Sequence, residues 1–163
     1  MSELEETNQH IITMTRQKVF HQLELMLVHE DFRRIGGKLT AYKTIQEGIS
    51  FHGAIYPGKI TFAYNPAETQ SGEKAHSVTT EILIRGDGHD FDNAKLYDFL
   101  EEVTGYVNTW FTEHWKCGGW FAISNVMSGD PLVSINIGKE KTVAGGKVVL
   151  YGEVIRNYDY ETS

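Results

Sequence analysis

The segment between Asp92 and Cys117 constrains the fold more than any other part of the sequence. Its apolar side chains recur at the i, i+3, i+4, i+7 spacing of an amphipathic helix: Leu96, Phe99, Leu100, Val103, Tyr106, Val107, Trp110 and Phe111. Asp92 is a suitable N-cap, and Gly118 and Gly119 suit the C-terminal cap. A stripe of this length must be buried against another layer, so we expect this helix to organise the core.

The rest of the chain predicts a second helix and several short strands. Apolar residues at helical spacing, with no Pro or Gly, predict a helix from about Thr7 to Glu30. The strand-like segments are "KLTAYKTI", "GISFHGAIYPG", "KITFAYNP" and "SVTTEILIRG" before the long helix, and "GWFAISNVM", "PLVSINIG" and "KVVLYGEVIRNYDY" after it.

Strand periodicity and element order together predict the fold class. In "SVTTEILIR", Val78, Thr80, Ile82 and Ile84 alternate onto one face, as expected for a sheet that is covered on one side. We therefore predict one α+β domain over residues 1–163, in which an antiparallel or mixed sheet packs against the long amphipathic helix and an N-terminal helix accompanies them.

Composition and charge limit the function classes. The chain has 22 acids and 15 bases, a net charge of −7, and no basic stripe, so we expect no tight wrapping of nucleic acid. Cys117 is the single cysteine, and "MSELEETNQH" has no apolar region typical of a signal peptide. No apolar run reaches the roughly 20 residues that span a bilayer. These features predict that the chain stays in a reducing cytoplasm and does not associate with a membrane.

The acidic residues are concentrated around the long helix. Between Glu81 and Glu113, eight acids stand against two bases, which gives −6 for this segment. Two interpretations stay open for it: a solvated helix face, or an acidic surface that contacts a partner or repels DNA.

The stretch "ILIRGDGHDFDNAKLYDFLEEV" contains an Arg-Gly-Asp triplet, a His-Asp pair and three acids within six residues. A strand, a glycine turn and a helix start explain it, with Asp90 and Asp92 favoured at the helix N-terminus. A metal site built from Asp87, His89, Asp90 and Asp92 is the alternative, but the spacing does not fit an EF-hand loop. The Arg-Gly-Asp triplet supports cell adhesion only in an extracellular protein, so we disfavour that interpretation.

Other motifs give no positive indication of catalysis. Cys117 lies at the carboxyl end of the long helix, where the dipole raises a thiol pKa, and no second cysteine exists to complete a zinc site with His114. "GKEKTVAGGKV" lacks the Gly and Ser/Thr spacing of a phosphate-binding loop. We therefore predict no catalytic residue, no cofactor and no bound metal.

Two polar segments are predicted to be exposed loops, at about residues 65–77 and 138–147. The first, "NPAETQSGEKAHS", has no apolar residue larger than alanine, and the second carries three lysines. Each is either a solvated turn or an arm that contacts a partner. The candidate interface residues on these arms are Glu68, Gln70, Glu73, Lys74, Lys139, Lys141 and Lys147.

The order of these elements resembles that of the tail terminator proteins of long-tailed, lambda-type bacteriophages. The resemblance rests on "TTEILIRG", "DNAKLYDFLEEVTGYV" and "GKVVLYGEVIRNYDYE", and it covers most of the chain. It implies a non-enzymatic virion assembly protein that forms a ring, in that family a hexamer, on the head-proximal end of the tail tube. Such a ring stops tube polymerisation and docks onto the head connector, and DNA passes through it without specific binding.

The same resemblance implies synthesis in the host bacterial cytoplasm and a final location in the virion tail. Its partners would be further copies of the chain, the tail tube protein and a head connector or neck protein. Two alternatives stay open. One is another neck, connector-completion or minor tail protein. The other is a cytoplasmic α+β module that binds a small ligand, or a small enzyme.

Overall fold

A mixed six-stranded sheet with helices on one face forms the domain. The computed structural model describes residues 3–35, 38–48, 52–65, 73–129, 133–138 and 141–157. The helices are α1 (Glu3–Leu27), α2 (Glu30–Arg33) and α3 (Asn93–Glu113), and a 3-10 turn follows at Cys117–Gly119. The strands are β1 (Thr40–Ala41), β2 (Ala54–Asn65), β3 (Glu73–Arg85), β4 (Ala122–Ser128), β5 (Val133–Gly138) and β6 (Lys141–Asn157). The predicted α+β class is confirmed.

The long strand β6 is central to the sheet. The strand order is β1-β2-β3-β6-β4, with β1 parallel to β2 and every other pair antiparallel. On one side, β6 pairs with β3 from Glu73↔Asn157 to Arg85↔Gly145. On its other side, β4 pairs with residues 148–153 and β5 pairs with residues 141–145. β4 and β5 therefore lie one after the other along the same edge of β6.

Helices α1 and α3 bury one face of the sheet. The four alternating residues predicted to face the core of β3 are all buried, and Val148, Leu150 and Val154 of β6 join them. The stripe of α3 is buried through Phe99, Leu100, Val103, Val107, Trp110 and Phe111. Indole N–H groups attach α1 to this core, because Trp110 donates to Gln22 Oε1 at 3.1 Å and Trp120 donates to Thr15 Oγ1 at 2.9 Å.

The bounds of both predicted helices differ from those in the structure. The helix predicted from Thr7 to Glu30 is divided into α1 and α2, and the long helix ends at Glu113 instead of Cys117. No helix in the described part of the chain is both long and apolar enough to cross a membrane.

Two predicted strands form one strand, β2, that continues through an irregularity between Pro57 and Ile60. Arg16 of α1 stabilises this irregularity, because its guanidinium donates to Pro57 O at 2.9 Å and to Gly58 O at 3.0 Å. Proline has no N–H for the ladder, so a bulge beside a side-chain donor is the position where a strand tolerates it. By contrast, only Thr40–Ala41 of the predicted strand "KLTAYKTI" pairs.

The predicted loop 65–77 is shorter than its composition suggested. Glu73–Ser77 belongs to β3 and pairs with Glu153–Asn157 of β6, while residues 66–72 lie outside the described part of the chain. The prediction was wrong for residues 73–77 because strand pairing satisfies backbone N–H and C=O groups without requiring apolar side chains.

The predicted loop 138–147 is also mostly strand. Lys141–Lys147 is the first part of β6, and Gly138 pairs with Lys141 at the end of β5. Residues 139 and 140 lie outside the described ranges. This segment is therefore a hairpin whose second strand is continuous with the central strand of the sheet.

Candidate interaction surface

The strand–turn–helix junction is organised by Arg85, whose side chain is 0% exposed. Its Nε donates to Asp87 Oδ1 at 3.0 Å and its Nη2 donates to Asp87 Oδ2 at 2.5 Å, a bidentate pair. The remaining donors reach the backbone carbonyls of Gln46, at 2.5 Å, and Gly48. The guanidinium thus holds the segment before β2 against the end of β3.

Ile135 and Ile137 of β5 are buried, but they do not belong to the core cluster beneath the helices. Gly48 N donates to Ile137 O at 3.2 Å, which attaches the segment to β5. Ile135 Cδ1 occupies the space above Gly145, where an added Cβ would clash with it. Glycine is required at that position because the Ile135 side chain packs directly on the backbone of β6 there.

Burial and the Arg85–Asp87 ion pair both shift pKa values at this junction. Burial alone lowers the pKa of the Arg85 guanidinium, but the hydrogen bonds and charge of Asp87 outweigh it and raise that pKa above its ordinary value. Burial also raises the pKa of the nearby Tyr56 phenol, and the Arg85 charge opposes this shift. The Arg-Gly-Asp triplet is therefore an internal ion pair, and its arginine is not presented to a receptor.

The proposed alternative of a metal site at this turn is not supported by the geometry. Asp87 binds Arg85, His89 Nε2 accepts a hydrogen bond from Lys38 N at 2.8 Å, and Asp92 Oδ1 caps α3 by accepting from Lys95 N at 2.8 Å. Asp90 is exposed. Within the ranges that the structure describes, no three His, Cys, Asp or Glu side chains lie close enough to hold an ion.

Cys117 is a buried structural residue. Its side chain is 1% exposed, and burial raises its pKa to about 12, partly opposed by the charge of Lys18. His114 contacts the Trp110 ring, with 3.9 Å between ring centroids, and its Nδ1 lies 2.8 Å from Trp110 O. The sequence predicted a raised thiol pKa from the helix dipole, whereas in the structure burial is the cause of the raised pKa.

The described candidate interface residues lie far apart along the sheet. Glu73 and Lys74 pair with Asn157 and Arg156 at one end of β6, and Lys141 is exposed at its other end. Sixteen residues of strand separate Lys141 from Asn157, or roughly 50 Å at about 3.3 Å per residue. Glu68, Gln70 and Lys139 lie outside the described residues.

Lys147 is already engaged within the chain. Its Nζ lies 2.9 Å from Glu81 Oε2, so this lysine neutralises a neighbouring carboxylate on the sheet. The structure places Lys147 within β6, on the sheet, and not in an exposed loop. The acidic surface is also smaller than the residue count suggested, since Glu81 and Asp87 both have basic partners. The acids exposed on α3 are Asp98, Glu101, Glu102 and Glu113.

A surface that the sequence analysis did not identify lies on the uncovered part of the sheet. We call it the outer face; it comprises Thr79, Glu81, Leu83, Asn125, Met127, Lys147, Val149 and Tyr151. Met127 pairs with Val149, which pairs with Glu81; Asn125 pairs with Tyr151, which pairs with Thr79. Met127 is 52% exposed and Tyr151 is 37% exposed. Among the described residues, no helix packs on this face.

The uninterrupted apolar run "VVLY", Val148–Tyr151, was the available signal for this face. Strands that are buried on both sides carry such runs, whereas a strand with one solvated side alternates with polar residues. In β6, Val148 and Leu150 face the helices, so Val149 and Tyr151 necessarily point to the other side.

The free edge of β4 is shielded by α3 and the turn that follows it. Ile123 N donates to Trp115 O at 2.8 Å, and Val126 O accepts from Asn108 Nδ2 at 3.1 Å. These contacts occupy the backbone N–H and C=O groups with which an added strand would pair. Covering an edge in this way is a common protection of sheets. The outer face is therefore a better contact surface for a partner than the edge of β4.

Comparison of the chain with protein-family models found no match, and a search of curated proteins found no relative.

Proposed function

We propose that this protein is a non-enzymatic virion assembly protein of the tail terminator type. Copies of the chain form a ring, as a hexamer in the form that the resemblance implies, on the head-proximal end of a phage tail tube. The ring stops tube polymerisation and supplies the surface that docks onto the head connector. The uncovered outer face is the observation that supports this proposal most strongly.

The outer face is suited to permanent burial in an assembly. Met127, Val149 and Tyr151 form a continuous apolar strip, and the Glu81–Lys147 ion pair borders it. Each square ångström of apolar surface removed from water contributes about 25 cal/mol. Apolar patches rimmed by polar groups are typical of protein contact sites. Burial of this apolar strip by a neighbouring subunit in a ring would explain why it is uncovered in the single chain.

The internal use of the reactive side chains also supports a structural role. Arg85 and Asp87 bind each other, and Cys117 is buried with a raised pKa, so these groups act in folding. The exposed acids of α3 give no counterion-release gain with DNA. A negatively charged surface of this kind suits a ring through which DNA passes.

The test is a charged substitution on the outer face. Met127→Asp places a charge in the apolar strip, and we expect it to abolish association of the chain while the monomer remains folded. Leu25→Asp is the matched control, because Leu25 is 42% exposed on α1, away from this face. Light scattering after size-exclusion chromatography would measure the mass of each variant, alone and after incubation with assembled tail tubes.

The proposal predicts a ring or a tube-bound oligomer for the wild-type chain and for Leu25→Asp, and a free monomer for Met127→Asp. Thermal unfolding with unchanged cooperativity would show that both variants are folded. Equal association of the two variants would contradict the role of the outer face. A wild-type chain that neither associates nor binds tubes would contradict the proposed function.

A further inference from the structure

A groove of about 650 Å³ lies at the end of the sheet where β3 runs into α3. Its lining residues are Leu27, Phe32, Arg33, Lys38, Leu39, Thr40, His52, His89 and Phe91. The volume falls within the roughly 300–1,000 Å³ of sites that bind small groups or short chain segments. The groove is separate from the outer face.

The floor of the groove is apolar and rigidly held. His89 stacks on Phe91 with 4.9 Å between ring centroids, and Phe99 of the core supports both rings. The His89 ring is fixed by the hydrogen bond from Lys38 N. Burial lowers the pKa of His89, assisted by the nearby His52, although the Gly86 backbone and Asp87 oppose the shift. A neutral ring in this position belongs to the apolar floor.

The rim of the groove is basic. Arg33 and Lys38 are exposed, and neither forms an ion pair with any carboxylate in the described ranges. The nearby Asp31 lies 3.8 Å from Arg34 and 3.7 Å from His29 instead. No acid lines the groove among the residues described there. In a chain of net charge −7, this basic and aromatic groove favours an occupant that is acidic and aromatic.

The chain itself contains a segment of that chemistry. Residues 158–163, which lie outside the described part of the structure, have the sequence "YDYETS", with two tyrosines, two acids and no base. Tyrosine rings match the apolar floor. The carboxylates of Asp159 and Glu161 match Arg33 and Lys38, and a guanidinium binds a carboxylate in bidentate geometry.

Strand geometry prevents this segment from reaching the groove of its own copy. Asn157 pairs with Glu73, and the groove lies near Arg85, twelve residues further along β3. That separation is about 40 Å at roughly 3.3 Å per residue. Six residues span at most about 20 Å when fully extended. The segment can therefore contact this groove only on another copy of the chain.

We infer that residues 158–163 of one copy bind the groove of a neighbouring copy. This contact is heterologous, because a different surface of each subunit is used, and such contacts close into a ring when the rotation between subunits permits. The inference rests on the proposed function in one respect, since it requires copies of this chain to associate. It names a second contact between copies, in addition to the outer face.

Reciprocal charge reversal in the full-length chain tests this inference. One variant carries Arg33→Glu and Lys38→Glu in the groove; the other carries Asp159→Lys and Glu161→Lys in the segment. Each variant alone should associate about tenfold more weakly than the wild type or worse, because like charges then face each other. An equimolar mixture should associate within about threefold of the wild type, since both kinds of contact are again complementary. Sedimentation velocity over a concentration series measures each case.

A matched control keeps the size of the charge change but moves it off the groove. Glu101→Lys with Glu102→Lys reverses two exposed acids on α3 and should leave association unchanged. Circular dichroism of every variant would verify folding. If a groove variant does not fold, Arg33→Ala with Lys38→Ala replaces it, with weaker association still expected.

Several results would overturn the inference. They include association of either variant alone at wild-type strength, a mixture no stronger than its components, and a wild-type chain that stays monomeric to about 1 mM. Binding of a free acidic aromatic compound by the groove, with the segment variant associating normally, would assign the groove to a small ligand. If the charge-reversed mixture recovers association but loss of the gene leaves tail length unchanged, this inference stands and the terminator proposal fails.

Discussion

Removing Asp87 should destabilise the fold much more than removing its neighbour Asp90. Arg85 is completely buried, and two of its four hydrogen bonds end on the Asp87 carboxylate. Asp87→Ala leaves a buried guanidinium without its counter-charge, a change that typically costs about 3–5 kcal/mol. Asp87→Asn keeps one acceptor oxygen and loses the charge, so we expect about 1.5–3 kcal/mol, the value of one hydrogen bond to a charged group. Asp90→Ala, at an exposed position in the same turn, should change stability by no more than about 0.5 kcal/mol.

Urea unfolding followed by tryptophan fluorescence at pH 7 would measure these free energies. A double variant, Arg85→Met with Asp87→Ala, should be more stable than Asp87→Ala alone, because it leaves no uncompensated buried charge. The cost of Asp87→Ala should also change little with added salt, since buried pairs are weakly screened. A loss no larger than that of Asp90→Ala, or one that disappears in high salt, would refute a buried anchoring role for this pair.

Three further predictions concern the core, the thiol and the turn. Phe99→Ala should lower the free energy of unfolding by roughly 3–5 kcal/mol, because the Phe99 ring is 5% exposed. Tyr97→Ala, on the exposed side of α3, should lower it by about 0.5 kcal/mol or less. A loss below about 1 kcal/mol for Phe99→Ala would show that another face of α3 is buried. Native Cys117 should react with a disulfide reagent at pH 8 at least about a hundredfold more slowly than in urea, because its pKa of about 12 leaves little thiolate, and immediate native labelling would contradict this. The free energy of unfolding should fall as pH drops below about 6.5, the ordinary pKa of His in the unfolded chain, because the folded state disfavours protonated His89; the pH dependence should be shallower in His89→Asn, and parallel curves would refute the assignment.

Much of the fold is predictable from the sequence because periodicity reports burial. The stripe of α3 and the alternation in β3 both appear in the structure as predicted, since each element has one face against the shared core. Asp92 also caps α3 as its position suggested, with the hydrogen bond to Lys95 N.

Long-range pairing explains what the sequence did not predict. Glu73–Ser77 is polar and resembles a loop, but β6 provides a backbone partner about 80 residues away in sequence. The burial of Arg85 depends on hydrogen bonds to the carbonyls of Gln46 and Gly48, which are distant from it in sequence. The outer face required knowledge of which sheet side the helices cover. Each of these features depends on residues that are far apart in the sequence, and periodicity within one segment does not report such contacts.

The distribution of tail lengths tests the proposed function most directly. In a phage whose copy of this gene is deleted, electron microscopy should show tail tubes of uncontrolled length that do not join to heads. Supplying the wild-type chain should restore tails of one length, and supplying Met127→Asp should not. Tails of normal, uniform length in the absence of this protein would contradict the account.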